Sequence, residues 1–81
     1  MTNYELCGEI QRIINELLTQ KGLPAMSLTP ESRFLGGGIP IDSLDLAVLV
    51  TELQTRTGKD PFAEGFRTFH TVGELGAMYA E

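Results

Sequence analysis

Residues 22–41 of this 81-residue chain cannot form a helix or strand of useful length. They contain Gly22, Pro24, Pro30, the consecutive glycines Gly36, Gly37 and Gly38, and Pro40, and each of these removes a backbone donor or loosens the chain. The fold has to be built from what lies on either side, joined by a long irregular connection. Such connections are uncommon in small domains and tend to be functional. Leu28, Phe34, Leu35, Ile39 and Ile41 are spaced along it, which predicts that it is pinned across the core rather than hanging free.

Both flanks read as helices. From Asn3 to about Lys21, Leu6, Ile10, Ile13, Ile14, Leu17 and Leu18 recur at the spacing of one helix face. Thr2 and Glu5 fit a capping box, and Gly22 and Pro24 supply the stop. A second helix is predicted from Asp42, a good N-cap, to about Thr57, with Asp45 as a further carboxylate in its first turn and Gly58 as its terminator. It carries two apolar stripes, Leu46, Leu49, Val50 and Leu53 on one side and Leu44, Ala47, Val48 and Thr51 on another. Both cannot face one small core, so the second stripe is expected at the surface. Asp60-Pro61 suits a cap and first helical position; Phe62, Phe66 and Phe69 then suggest a short third helix limited by Gly65. Thr71-Val-Gly-Glu74 is another capping box, opening a last helix with Val72, Leu75, Met78 and Tyr79 directed inward. No segment alternates as a strand. The expectation is one all-α domain over residues 1–81, a four-helix bundle with a short third helix.

Composition narrows the function. The chain is 42% hydrophobic, which supports a single core and no large enzyme pocket. One cysteine excludes a disulfide framework, no Cys/His cluster has zinc spacing, and a reducing cytoplasm is the expected setting. The N-terminus does not read as a signal peptide, and the longest apolar run, Leu46 to Val50, is too short to span a membrane. Eleven acidic against six basic residues give a net charge of −5, which disfavours nucleic acid and anionic membranes and permits a basic protein partner. Cys7 reads as a core-edge residue and His70 as part of a loop or cap. Asp42 and Asp45 without His or Cys make a poor metal site, and no Lys follows the triple glycine in phosphate-loop spacing. No catalytic residue and no metal are expected.

Ser43 is different. It follows Asp42 at the first turn of a helix, where the hydroxyl is accessible and unused backbone N–H groups and the helix dipole favour a negative substituent. On these grounds alone a serine at a helix start is far more often a cap than a modification site. The run Gly38-Ile-Pro-Ile-Asp-Ser-Leu-Asp45, however, resembles the Asp-Ser-Leu signature of acyl carrier proteins. The order helix, long loop, Asp-Ser-Leu, helix, short helix, helix resembles that family from end to end, as does Thr71-Val-Gly-Glu-Leu75 at the opening of the last helix. The resemblance implies that Ser43 receives 4′-phosphopantetheine from coenzyme A through a phosphopantetheinyl transferase. It implies that Asp42 and Leu44 are recognised during modification, and that Leu44, Ala47, Val48 and Thr51 form the partner-docking side. The chain would be a monomeric, non-enzymatic tether whose thiol carries cargo as a thioester to downstream enzymes.

Two features set it apart from the family's fatty-acid members, whose recognition helix usually carries a row of glutamates. Here that stretch has Val48, Thr51, Gln54, Thr55 and Arg56, leaving Asp42, Asp45 and Glu52 as its acids, so a less polar contact centred on Leu44 and Val48 is expected. The triple glycine is also unlike the common loop. Lys59-Asp-Pro-Phe62 and the phenylalanine-rich third helix are instead similar to small bacterial aminoacyl carrier proteins, which are loaded by ligases resembling seryl-tRNA synthetases. An aminoacyl cargo supplied by an amino acid:carrier protein ligase is the expectation. A fatty-acyl or polyketide carrier is the alternative, a plain helical interaction module the second, and a Ser43 hydrolase a distant third, since no His base lies near Ser43 in sequence.

Overall fold

A computed structural model describes residues 2–34, 38–63, 65 and 68–80. Among them are three α-helices, α1 (Asn3–Gln20), α2 (Ser43–Thr57) and α3 (Val72–Tyr79). Each opens with a full capping box. In α1 the Thr2 hydroxyl accepts the Glu5 N–H at 3.1 Å and the Glu5 carboxylate accepts the Thr2 N–H at 2.9 Å; Thr71 and Glu74 repeat the arrangement in α3. Two donors that the helix itself leaves unpaired are satisfied at each start.

The core is built on α1. Leu6, Ile10, Ile13, Ile14, Leu17 and Leu18 are all buried, and Leu49 and Leu53 of α2 and Val72, Leu75 and Tyr79 of α3 close against them. Tyr79 is wholly enclosed, and its hydroxyl has no hydrogen-bond partner among the described residues. Burial, with the charge of Asp60 behind it, pushes the phenol up to about 12.

The connection between α1 and α2 does cross the core. Phe34 and Ile39 are buried, and Met26, Leu28 and Ile41 pack against the core from its edge. Polar side chains of α1 hold its first part. Asn15 donates to the Met26 carbonyl at 3.1 Å and accepts the Met26 N–H at 2.8 Å, and Gln11 accepts the Leu28 N–H at 2.6 Å. Its middle pairs with the entry to α3: the Phe34 N–H donates to the His70 carbonyl, the Val72 N–H to Ser32 and the Gly73 N–H to Pro30, at 2.8–2.9 Å. Arg33 and Thr71 form an isolated antiparallel bridge there. Leu35, Gly36 and Gly37 lie outside the described residues.

The expected fourth helix is not confirmed. Gly58 ends α2 in the left-handed region, φ 73°, donating its N–H to the Gln54 carbonyl, a conformation that glycine adopts without penalty. Beyond it the Asp60 carbonyl accepts the Ala63 N–H at 3.2 Å and the Asp60 carboxylate accepts the Phe62 N–H at 3.2 Å, which makes a turn over Pro61–Ala63. Gly65, at φ 137°, is not helical. Glu64, Phe66 and Arg67, on which the rest of that expectation falls, lie outside the described residues. Asp60 does cap this stretch, but among the described residues it caps a turn.

The two stripes of α2 separate in part: Leu46 and Val50, expected inward with Leu49 and Leu53, are only half-buried. Leu49 and Leu53 are fully buried, whereas Leu44 is 75% and Val48 42% exposed. Leu49→Ala is expected to cost about 2–5 kcal/mol, a large share of the stability of a small domain, while Leu44→Ala leaves the thermal midpoint nearly unchanged; the opposite order in thermal denaturation would reverse the faces. Gly73 supplies a second test. A Cβ there would lie 3.0 Å from the Pro30 carbonyl oxygen and 3.1 Å from Pro30 Cβ, and the pairing above holds that backbone in place. Gly73→Ala is therefore expected to lower the midpoint in urea, although helix propensity alone would favour alanine by about 1 kcal/mol.

Candidate functional site

Asp42 is the N-cap of α2, and this decides what Ser43 is free to do. The Asp42 carboxylate accepts the Asp45 N–H at 3.0 Å, and the Asp45 carboxylate accepts the Asp42 N–H at 3.1 Å. The capping role open to Ser43 on sequence grounds is thus filled by its neighbour. Ser43 is the first helical residue, it is exposed, and its hydroxyl makes no hydrogen bond among the described residues.

The turn that carries it is fastened from α1. Lys21, the C-cap residue of α1, donates from Nζ to the Asp45 carboxylate and, at 3.4 Å, to the Pro40 carbonyl. The contact ties the carbonyl-rich end of one helix to the amide-rich end of the next. The Lys21 ammonium holds the Asp45 carboxyl below its ordinary range, aided by the Asp42 N–H, and Asp45 in turn raises Lys21. Nothing in the sequence pattern distinguished Lys21 from an ordinary basic residue at a helix end.

Ser43 also lines a groove of about 430 Å³. Its walls are mostly apolar, with Leu46, Ala47 and Val50 of α2 facing Phe34, Phe62 and Phe69, and His70 joins Ser43 in the lining. Phe69 meets Phe34 edge to face, with centroids 5.7 Å apart, and Phe62 at a tilt, 6.0 Å away. His70 lies 27 positions from Ser43 in the sequence. The pairing of Phe34 with His70 brings it to the same groove, although no hydrogen bond joins the two side chains among the described residues. A broader, shallower depression of about 640 Å³ on the outer face of α1 is lined by Gln11, Arg12, Asn15, Glu16 and similar polar groups. Cys7 is half-buried, and burial raises its thiol, so it is poorly suited to act as a nucleophile.

Of the four expected docking residues, Leu44, Ala47, Val48 and Thr51 are all exposed along one side of α2. Among the described residues no three His, Cys, Asp or Glu side chains gather as a metal site, and no helix is long and apolar enough to cross a membrane.

The Asp45 shift carries a pH dependence with a definite sign. Its folded pKa lies below the unfolded one, so its contribution is present above the unfolded value, near 4, and is lost as the pH falls through the folded value. Amide protection at Asp42 and Asp45 is expected to fall below about pH 4, and Lys21→Met is expected to move that loss to higher pH; hydrogen exchange read by NMR checks both.

No protein-family model matches the chain, and no curated protein matches it. A solved structure does. MacpD, an acyl carrier protein from Pseudomonas fluorescens involved in mupirocin biosynthesis, superposes with a TM-score of 0.82 at 31% identity, over 98% of this chain and 71% of that one. Acyl carrier proteins hold acyl groups on a phosphopantetheine prosthetic group, meet phosphopantetheinyl transferases and acyl-handling enzymes, and do no catalysis themselves. An exposed, unengaged serine at the start of the second helix, beside an apolar groove, is in keeping with that likeness, and the chain belongs to the acyl carrier protein family.

Proposed function

We propose that the 81 residues act as one carrier unit, monomeric and cytoplasmic, in which Ser43 bears 4′-phosphopantetheine and partner enzymes dock along Leu44, Ala47, Val48 and Thr51. The observation that carries this reading is the Ser43 hydroxyl, exposed and unengaged because Asp42 has taken over the capping. The group fits the place. A phosphodiester on the first helical residue sits at the amide end of α2, where unpaired N–H groups and the dipole favour negative charge. Asp42 orders the turn and offers an acidic mark beside the serine for the transferase.

The prosthetic group supplies a thiol that holds cargo as a thioester on a flexible arm, which raises the cargo's effective concentration at each docked site. The chain's own residues present and shelter it. The groove beside Ser43 falls within the range of small-molecule sites, and its phenylalanine and aliphatic walls suit an apolar acyl chain. An acyl cargo, fatty or polyketide, is therefore the reading the geometry favours. The second reading, an aminoacyl group loaded by a seryl-tRNA-synthetase-like amino acid:carrier protein ligase, keeps the support of the Lys59-Asp-Pro-Phe62 segment and of the few acids on α2.

Incubation with coenzyme A and a broad-specificity phosphopantetheinyl transferase is expected to add one phosphopantetheine to the intact mass, and none to Ser43→Ala. No gain in a folded sample would return the chain to the interaction-module reading. Loading the product with acyl groups of increasing length, beside amino acids, then separates the two cargoes. Thioester hydrolysis slowed for apolar acyl groups, and restored in Val50→Asp, supports the groove as their shelter; equal hydrolysis of all cargoes favours the aminoacyl reading.

A further inference from the structure

His70 is fastened through its backbone. Its carbonyl accepts the Phe34 N–H at 2.9 Å, and its N–H donates to the Glu74 carboxylate at 2.9 Å. The residue is exposed, and its imidazole makes no hydrogen bond among the described residues. The seam that holds this backbone sets the imidazole at a defined place, on the groove that Ser43 also lines. Ser43 and His70 are the two polar residues of a lining that is otherwise apolar.

The first turn of α2 already carries negative charge. Asp42 and Asp45 both belong to it, and Lys21 is the cation that faces them, paired with Asp45 and within electrostatic reach of Asp42. A phosphodiester on Ser43 would set a third negative charge against that one cation. Unpaired amides at the helix start offset part of it, and a second cation would offset more. The charged groups on the elements around His70 are Glu74 of α3, Arg33 of the connection, and the two aspartates of α2. Glu74 faces the imidazole but spends its carboxylate on the His70 and Thr71 amides. Arg33 is bridged through its backbone to Thr71, and it alternates with Phe34, which turns toward the groove.

We propose that the protonated His70 imidazole clasps the phosphodiester that Ser43 carries, and so steadies the root of the phosphopantetheine arm at the groove. The inference rests on the carrier reading of Ser43 and adds to it a positioning residue. The clasp is present while the imidazole is protonated and is lost as the pH rises through its midpoint. Over that range the aspartates and the diester stay negative and Lys21 stays positive, so the arm is held at lower pH and loosened at higher.

The test compares the Ser43-modified chain with the unmodified one. A phosphodiester has no second ionisable proton, so its phosphorus NMR signal has no reason of its own to move between about pH 5 and 8. It is expected to move there in one step, at the midpoint read from the ring protons of the chain's one histidine. That midpoint is expected to lie roughly 0.2–0.7 pH unit above the one in the unmodified chain, the size of an exposed ion pair. The pantetheine methyl signals are expected to be broader below the midpoint than above it. His70→Gln abolishes the phosphorus step and leaves the methyl signals narrow throughout, whereas His70→Arg, a permanent cation, keeps them broad throughout; neither moves the thermal midpoint of the unmodified chain. A flat phosphorus signal in the modified parent, a step that survives His70→Gln, or methyl signals indifferent to pH overturns the proposal. Absence of mass gain at Ser43 is seen before any titration begins; it marks failure of the carrier reading and removes this proposal with it.

Discussion

Six side chains of α1 supply nearly half of the buried apolar residues among those described, and every other described element is placed by reaching them. A chain this short has little surface to bury, so it cannot form two independent clusters. Leu49 and Leu53 bring in α2, Val72, Leu75 and Tyr79 bring in α3, and Phe34 and Ile39 bring in the connection. What is left after that packing is available for function: one side of α2, its first turn, and a groove whose far wall is Phe34 of the connection with Phe62 and Phe69 from between α2 and α3.

The first turn of α2 meets two opposed demands. Its serine has to stand clear of the protein, and the backbone beneath it has to stay ordered. Division of labour between neighbours resolves this. Asp42 and Asp45 satisfy the turn's donors, Lys21 anchors it to α1, and Ser43 is left with no structural duty among the described residues. The ion pair is exposed and contributes little to global stability, so its effect is local, in setting where the turn sits.

Legibility in the sequence followed the range of the interaction. The stripe of α1, the capping boxes of α1 and α3, the cap Asp42 and the terminator Gly58 are written in residues three or four apart, and all were readable, whereas the return bond from Asp45 that completes a third box was not. The division of α2 was readable at Leu44, Val48, Leu49 and Leu53, while Leu46 and Val50 of the expected inward stripe stop half-buried at the groove. The third helix was read from Asp60-Pro61 and phenylalanine spacing, but a cap signals a beginning and not a length, and Asp60 opens only a turn among the described residues. The clasp of Gln11 and Asn15 on Leu28 and Met26, the reach of Lys21 to Asp45, and the approach of His70 to the groove join residues far apart in the chain. No local pattern encodes such contacts. The exposed, unengaged state of Ser43 needed both kinds of information, since its position was local and the fastening of its turn was not.

The connection between α1 and α2 meets α3 through main-chain atoms: the carbonyls of Pro30, Ser32 and His70 receive the amides of Gly73, Val72 and Phe34. Main-chain atoms are common to every amino acid but proline, which lacks the N–H, so substitutions along this seam that keep the φ/ψ path and find room for their Cβ, as one at Gly73 would not, leave the pairing intact. Side chains outside the apolar anchors are consequently free to drift while the path of the chain is retained. That tolerance is in keeping with a chain that superposes along nearly its whole length on a relative sharing fewer than a third of its residues.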